Sequence, residues 1–312
     1  MTSTPYFDVV LLGEPLVEIS TTDPFAHGVS SVLGVSGDVV NAGAAAAAAG
    51  AKVALIARVS NDELGDAVCE RIRALGIDDS YIRRVDGQQG AYFVHIDPHG
   101  QRQFSYARSR SVGSQLDISD VPADVLKSAG AVLGSGITAA LSESARRAVL
   151  WAAENATRFV YDPNFRPRLT TATESAALLR ELCPHCTIVV PSAPGEIDAI
   201  LGTDEPLAAA TRLIDWGASS VAVTRGADGV TVVSNDGVHE HPSVPAVDVV
   251  DQTGAGDVFA GTLTARTALG DALVVAVELA ASAASFSVGG RGGTGLIGSL
   301  DEVKAHRDRV TA

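Results

Sequence analysis

Six short apolar runs recur along the chain with helix-patterned segments between them, and this alternation restricts the fold more than any other feature. The runs are Phe7–Leu12, Val53–Ala57, Ala131–Leu133, Phe159–Tyr161, Ile188–Val190 and Val221–Val223. They are mostly continuous, the pattern of strands covered on both faces of a parallel sheet. Helix patterns fall at Asp38–Ala49, Glu63–Leu75, Glu143–Glu154, Thr173–Leu182 and Pro206–Trp216. Right-handed crossovers then predict an α/β, doubly wound, mostly parallel sheet with helices on both faces. One interruption stands out. Tyr92–Ile96, the turn Asp97-Pro98-His99-Gly100 and Gln103–Ala107 read as a β-hairpin with no helix. With the Glu14–Val35 region it predicts a small sheet set over the main one.

The 312 residues, 46% of them hydrophobic, suffice for one large core. A net charge of −14 argues against nucleic-acid binding, which needs a basic face. Met1–Pro5 is polar and Tyr6–Leu12 strand-like, so no export signal is read and a cytoplasmic location is expected. Ala272–Val288 is the most apolar stretch, but it carries Glu278 and several serines, so a buried helix is expected and no membrane span. Cys69, Cys183 and Cys186 suggest no disulfide framework. Cys183-Pro184-His185-Cys186 lacks a second ligand pair and falls where a helix should break.

The chemistry concentrates at 251–261, Asp-Gln-Thr-Gly-Ala-Gly-Asp-Val-Phe-Ala-Gly. The apolar run Val244–Val250 leads in and Val258–Leu269 continues as a helix, so the glycines mark a strand-to-helix turn. The first N–H groups of a helix have no internal partner, and the helix dipole favours an anion there. Gly254, Ala255 and Gly256 carry little bulk and would let an anion approach. Asp257 follows at once. A carboxylate beside an anion hole makes sense as a base that takes a proton from an attacking hydroxyl while the hole holds a transferring phosphoryl group. The alternative is a plain helix cap with glycines for close packing. Rival phosphate sites are poor. There is no GxxxxGK[ST], and none of the three lysines, Lys52, Lys127 and Lys304, has a phosphate-loop setting. Gly290-Arg291-Gly292-Gly293-Thr294-Gly295 follows a helix and leaves too little chain for a βαβ unit. Gly134-Ser135-Gly136 follows a strand, but the next N-cap is read at Ser142 instead of at the second glycine.

Three further motifs stand in order before this one. Ser36-Gly37-Asp38-Val39-Val40-Asn41 precedes an alanine-rich helix ending at Gly50-Ala51, then the strand Lys52–Ala57. Asp162-Pro163-Asn164-Phe165-Arg166 follows the strand Arg158–Tyr161, and Val221–Thr224 leads into Gly226-Ala227-Asp228-Gly229. Together the four resemble, nearly end to end, the ribokinase-like sugar kinases of the PfkB type. The resemblance implies a single ribokinase-like kinase domain over residues 1–312 whose small sheet is a lid, formed discontinuously by about 14–36 and 90–110. In that family the lid often mediates dimerisation, so a homodimer through it is expected. Gly13-Glu14-Pro15, the Tyr92 strand, Tyr106-Ala107-Arg108-Ser109-Arg110-Ser111, Ser135-Gly136-Ile137-Thr138 and Asp162 to Arg166 resemble the 2-keto-3-deoxygluconate kinases within it.

A sugar acid needs a cation that a neutral sugar does not, and Arg offers a planar fork for a carboxylate. Arg108 and Arg110, taken as one strand, would share a face; the alternative is a solvated strand edge. The resemblance implies ATP and magnesium, with Asp257 as base and Gly254–Gly256 around the transferring group. Gly37, Asp38, Asn41, Tyr92, Tyr106, Arg108 and Arg166 would hold the sugar. Ser192, Glu196, Thr224, Gly226 and Gly229 would hold the nucleotide, Glu196 near the magnesium. Asp251 and Thr253 would bind a monovalent cation such as K⁺ with the Gly289–Gly295 loop, ordinary turn hydrogen bonding being the alternative. Four positions depart from the family pattern: Ser36 and Ser60 replace glycines, Gln252 a Thr or Ser, and Ala193 the Asn of an Asn-x-x-Glu element. The expected reaction is phosphorylation of a terminal hydroxyl, with 2-keto-3-deoxygluconate first. A neutral-sugar kinase of fructokinase or ribokinase type, or a non-catalytic sugar sensor, is the alternative.

Overall fold

The computed structural model describes residues 7–97 and 102–311. The polar start Met1–Pro5 and most of the turn expected at Asp97–Gly100 lie outside them. Among the described residues a ten-stranded sheet forms the centre. Its path runs Gly237–His241, Val230–Ser234, Val221–Thr224, Cys186–Val189, Phe159–Asp162, Ala131–Ser135, Val9–Leu12, Val53–Ser60, Ile77–Asp78, and Ile82–Val85 also pairs with Val53–Ser60. The pairs from Val221–Thr224 to Ile77–Asp78 are parallel. The six strands expected from the apolar runs are present, and both faces of the sheet are packed. Leu12, Ile56, Val132 and Phe159 sit in one core, and Leu11, Leu55, Leu133 and Val160 in the other.

The helices match their patterns to within a residue or two: Asp38–Ala48, Glu63–Ala74, Glu143–Asn155, Ala172–Leu182 and Pro206–Asp215. Local chemistry fixes several starts. Asp62 accepts from Gly65 N, Ser142 from Ala145 N, and Thr171 forms a capping box with Glu174. The small sheet is also as expected, ordered Val32–Ser36, Leu16–Thr21, Ala91–Ile96, Arg102–Ala107. Its central pair is parallel and its outer pairs antiparallel.

Several expectations need correction. Val244–Val250 is no strand; Val247, Val249 and Val250 are half exposed or more. The antiparallel hairpin of Val230–Ser234 and Gly237–His241 takes the end of the sheet instead. The glycine turn therefore joins a loop to a helix, and that helix begins at Ala255, three residues before the expected Val258. Arg110 does not share a strand face with Arg108, because the strand ends at Ala107 and Arg110 stands in a turn at φ 61°. A four-residue helix does start at the second glycine of Gly134-Ser135-Gly136, capped by Ser135, but it is too short to serve as a dinucleotide helix. The apolar helix is Leu273–Ser287, with Val274 and Val275 exposed along one side. All three cysteines are free and buried, and Cys183–His185 is a 3₁₀ turn between helix and strand. No helix among the described residues is long and apolar enough to cross a membrane.

Candidate active site

The motifs converge where the parallel strands end. Glu14 follows Val9–Leu12, Ser135 closes Ala131–Ser135, Asp162 closes Phe159–Asp162, and Ser192 and Thr224 pair across the next two strand ends. Ligands of open α/β sheets bind at this carboxyl edge.

Two helices cross there at unusually short range. A Cβ on Gly261 would lie 2.0 Å from Ala42 O, so only glycine lets Ala255–Ala268 rest on the alanine-rich Asp38–Ala48. The approach carries Asn41 to Asp257: Asn41 Nδ2 donates to Asp257 Oδ2 at 2.8 Å. Asn164 Nδ2 donates to Oδ1 at 3.2 Å, so each carboxylate oxygen holds one amide. Burial is the largest influence on Asp257 and, with the nearby Asp38 charge, raises its pKa to about 7. The two amides and Arg166 oppose that rise. A carboxylate poised near neutrality is well matched to take a proton at physiological pH.

Gly254 caps the helix at φ 79°, with no side-chain cap hydrogen bond to the first turn. Of the small residues expected to line an anion hole, Ala255 gives its N–H to Gln252 O at 3.3 Å. Gly256 is exposed, and a Cβ built on it meets nothing within 4 Å, so no neighbouring side chain or backbone crowds that side of the turn. Gly37 caps Asp38–Ala48 at φ 124° and lies against Glu14 O. Asp38 accepts from Ser135 Oγ. Asp38, Ser135, Asp162, Asn164 and Asp257 line one cleft.

The acidic groups are crowded. Asp162 is held well above the usual carboxylate range, by burial first and then by the charges of Glu196 and Asp257. Burial also raises Glu196, although Phe165 N and Ser192 N donate to it at 2.6 and 2.7 Å. Arg166 is exposed, and its charge pulls down Asp162, Glu196 and Asp257 alike. Among the described residues no group of three or more His, Cys, Asp or Glu could hold a metal by itself. Asp162 and Glu196 instead offer an electron-rich wall that suits an ion shared with phosphates.

The expected nucleotide residues lie together. Ala193 N donates to Thr224 O at 2.8 Å, and Gly226–Asp228 forms a 3₁₀ turn ending at Gly229, whose φ is 93°. The Asp251 carboxylate accepts from Thr253 N and Gly292 N, both at 2.8 Å, which ties the glycine turn to the Gly289–Gly295 loop.

On the small sheet and just after it, residues expected to face the sugar have protein partners. Tyr92 OH donates to Glu18, and Tyr106 is half exposed, its ring 5.9 Å from that of Tyr92. Arg108 Nε donates to Glu14 Oε2 at 2.8 Å, Nη2 lies 2.6 Å from the same oxygen, and Ser111 Oγ donates to Oε1. Glu14 is 1% exposed; its burial raises its pKa, with Arg108 and Ser111 opposing. Sequence reasoning quoted Glu14 and Asn164 within motifs without assigning them roles. Glu18 carries no local signal, since only strand register sets it beside Tyr92.

Residues 9–297 match the family model for pfkB family carbohydrate kinases. The chain belongs to that family: it is a carbohydrate kinase with a ribokinase-like fold. It is 35% identical over 291 residues to a 2-dehydro-3-deoxygluconokinase of Thermoproteus tenax, covering 91% of this chain and 89% of that protein. A 2-dehydro-3-deoxygalactonokinase of Haloferax volcanii is 27% identical, with 89% and 90% covered. Among solved structures, a candidate ribokinase II from E. coli in complex with ATP and Mg²⁺ superposes with a TM-score of 0.85 at 25% identity, covering 96% of this chain and 99% of the other.

Proposed function

We propose that this kinase transfers the γ-phosphoryl group of ATP to a terminal hydroxyl of a ketodeoxy sugar acid, 2-keto-3-deoxygluconate (2-dehydro-3-deoxygluconate) first. The observation that carries the chemistry is Asp257, held by two amides in the first turn of a helix with its pKa raised to about 7. Asp257 takes the proton of the attacking hydroxyl, and the uncapped turn at Gly254–Gly256 holds the transferring group. Asn41 and Asn164 orient that base. Gly37, Asp38, Tyr92, Tyr106 and Arg166 face the sugar, with Arg166 supplying the charge for a carboxylate. Ser192, Thr224, Gly226 and Gly229 take the nucleotide. Asp162 and Glu196 would hold magnesium, which when bound neutralises charge on the phosphates. Asp251 and Thr253, with the 289–295 loop, are proposed for a monovalent cation, tested by the dependence of rate on K⁺. The lid, where Val32, Leu33 and Phe93 are exposed, is proposed as the face of a homodimer, tested by mass in solution.

The relatives' names support the sugar acid. A neutral sugar is the second reading, because Glu14 already engages Arg108 and so weakens one of the two cations available for a carboxylate. A coupled ATP-consumption screen over ketodeoxy acids, hexoses, pentoses and nucleosides separates the two; a hexose as best substrate would overturn the acid. Asp257→Asn should lower kcat by about 10²-fold or more, and near-normal turnover would remove Asp257 as base.

A further inference from the structure

We propose that Ser36 is a positioning residue: by donating to Asn41 Oδ1 it fixes the Asn41 amide with its N–H on Asp257, and so ties the small sheet to the base. The proposal rests on the reading of Asp257 given above. Ser36 is the last residue of the strand Val32–Ser36, and its Oγ lies 3.3 Å from Asn41 Oδ1. Asn41 Nδ2 is in turn 2.8 Å from Asp257 Oδ2, so one amide spans the distance from lid to carboxylate. The Tyr92 phenol, which donates to Glu18, lies beside the same hydroxyl, whose one proton goes to Asn41.

The amide has little room. A Cβ on Gly293 would fall 2.3 to 2.4 Å from its Nδ2, Cγ and Oδ1, so the Gly289–Gly295 loop presses on it from one side. A carboxylate can only accept, so the NH₂ must face Asp257 and Oδ1 must point away. Asn41 is 3% exposed, and at that burial an unpaired Oδ1 is costly; Ser36 satisfies it. A glycine here, as the PfkB resemblance leads one to expect, offers no hydroxyl, and the amide is then free to turn or swing away from the carboxylate.

The other groups facing Asp257 bound the effect. Asp38 opposes ionisation from its own helix, while Arg166 and Asn164 favour it from the loop after Phe159–Asp162, the strand that Asp162 ends. None of these is touched by a change at Ser36.

The experiment is the pH profile of kcat for wild type, Ser36→Ala, Ser36→Gly and Ser36→Thr, with Asp257→Asn alongside and thermal unfolding to check folding. Loss of a positioned donor leaves the carboxylate more basic. The acid limb of Ser36→Ala and Ser36→Gly should therefore move up by about half a pH unit or more, and Ser36→Thr should restore it. A uniform fall in kcat with the limb unmoved would mean that Ser36 only packs, and would overturn the proposal while an inactive Asp257→Asn kept the base. An active Asp257→Asn would overturn both.

Discussion

Replacing Gly261 with alanine should harm this protein in a way that helix propensity alone would get backwards. In a helix interior, Gly→Ala ordinarily stabilises by about 1 kcal/mol. Here the new Cβ would stand 2.0 Å from Ala42 O and 2.7 Å from Ala42 C, where ordinary contact begins at 3.4 Å. Those atoms are backbone and cannot swing aside, so the two helices must part by about 1 Å or more, and overpacking of this kind costs about 1–3 kcal/mol. Asn41 adjoins Ala42, and Asp257 stands one helical turn before Gly261. The same parting would stretch the 2.8 Å bond from Asn41 to Asp257 out of hydrogen-bonding range. Misplacing a reacting group by this much can lower kcat by about 10²-fold. Urea unfolding and steady-state turnover of Gly261→Ala, Asn41→Ala and the double variant test this. The two single changes should share most of their loss in kcat, so the double should fall well short of additive. A Gly261→Ala protein that gained about 1 kcal/mol and turned over normally would refute the close approach.

Arg108→Ala would leave Glu14 buried without its cation, and should cost about 3–5 kcal/mol of stability. Adding Glu14→Gln should recover much of that in chemical denaturation, so only the double variant reports on substrate recognition. Arg166→Ala breaks no ion pair among the described residues; beyond a loss common to both substrates from its charge on Asp257, it should cost about 2–4 kcal/mol more in kcat/KM for a sugar acid than for a neutral sugar. Equal losses would remove Arg166 from carboxylate recognition. Asp257 also predicts a pH dependence of stability. Its folded pKa of about 7 lies above that of an unfolded aspartate, so the native state binds more protons between those values and loses stability as pH rises through that window. Asp257→Asn should therefore gain on wild type in urea unfolding at pH 7.5 relative to pH 5, and an equal difference at both would contradict the raised value.

The parallel sheet could be read from the sequence because buried strands are written as unbroken apolar runs, and the helices because their caps are local. Val244–Val250 misled for a physical reason: valines mark a strand only if a sheet edge is free, and the Val230–Ser234 hairpin already holds that end. That hairpin did have a signal, Asn235-Asp236-Gly237 between two strand-like segments. At the site, residue types were legible and their pairings were not. Arg108 looked like a free cation because Glu14 lies 94 residues away, and the bond from Asn41 to Asp257 joins residues 216 apart. Such partners become visible only once the helices have crossed and the strands have taken their register.

The small sheet is assembled from two stretches of chain that cannot be handled separately. Its halves meet through the parallel pairing of Leu16–Thr21 with Ala91–Ile96, and between them the chain detours through the helix Asp38–Ala48, the strand Val53–Ser60 and the helix Glu63–Ala74. Parallel neighbours need such a crossover, so the small sheet cannot be assembled without passing through the main one. For chimera-building between related kinases, the unit of exchange is then a pair of cassettes, each with its root in the recipient's core. Swapping one alone would mismatch the central pair of strands, and neither could be expressed as an independent fragment. Glu14, touching Arg108 and Ser111 and closely flanked by Gly90 and Gly113, is the junction that any such graft would have to carry intact.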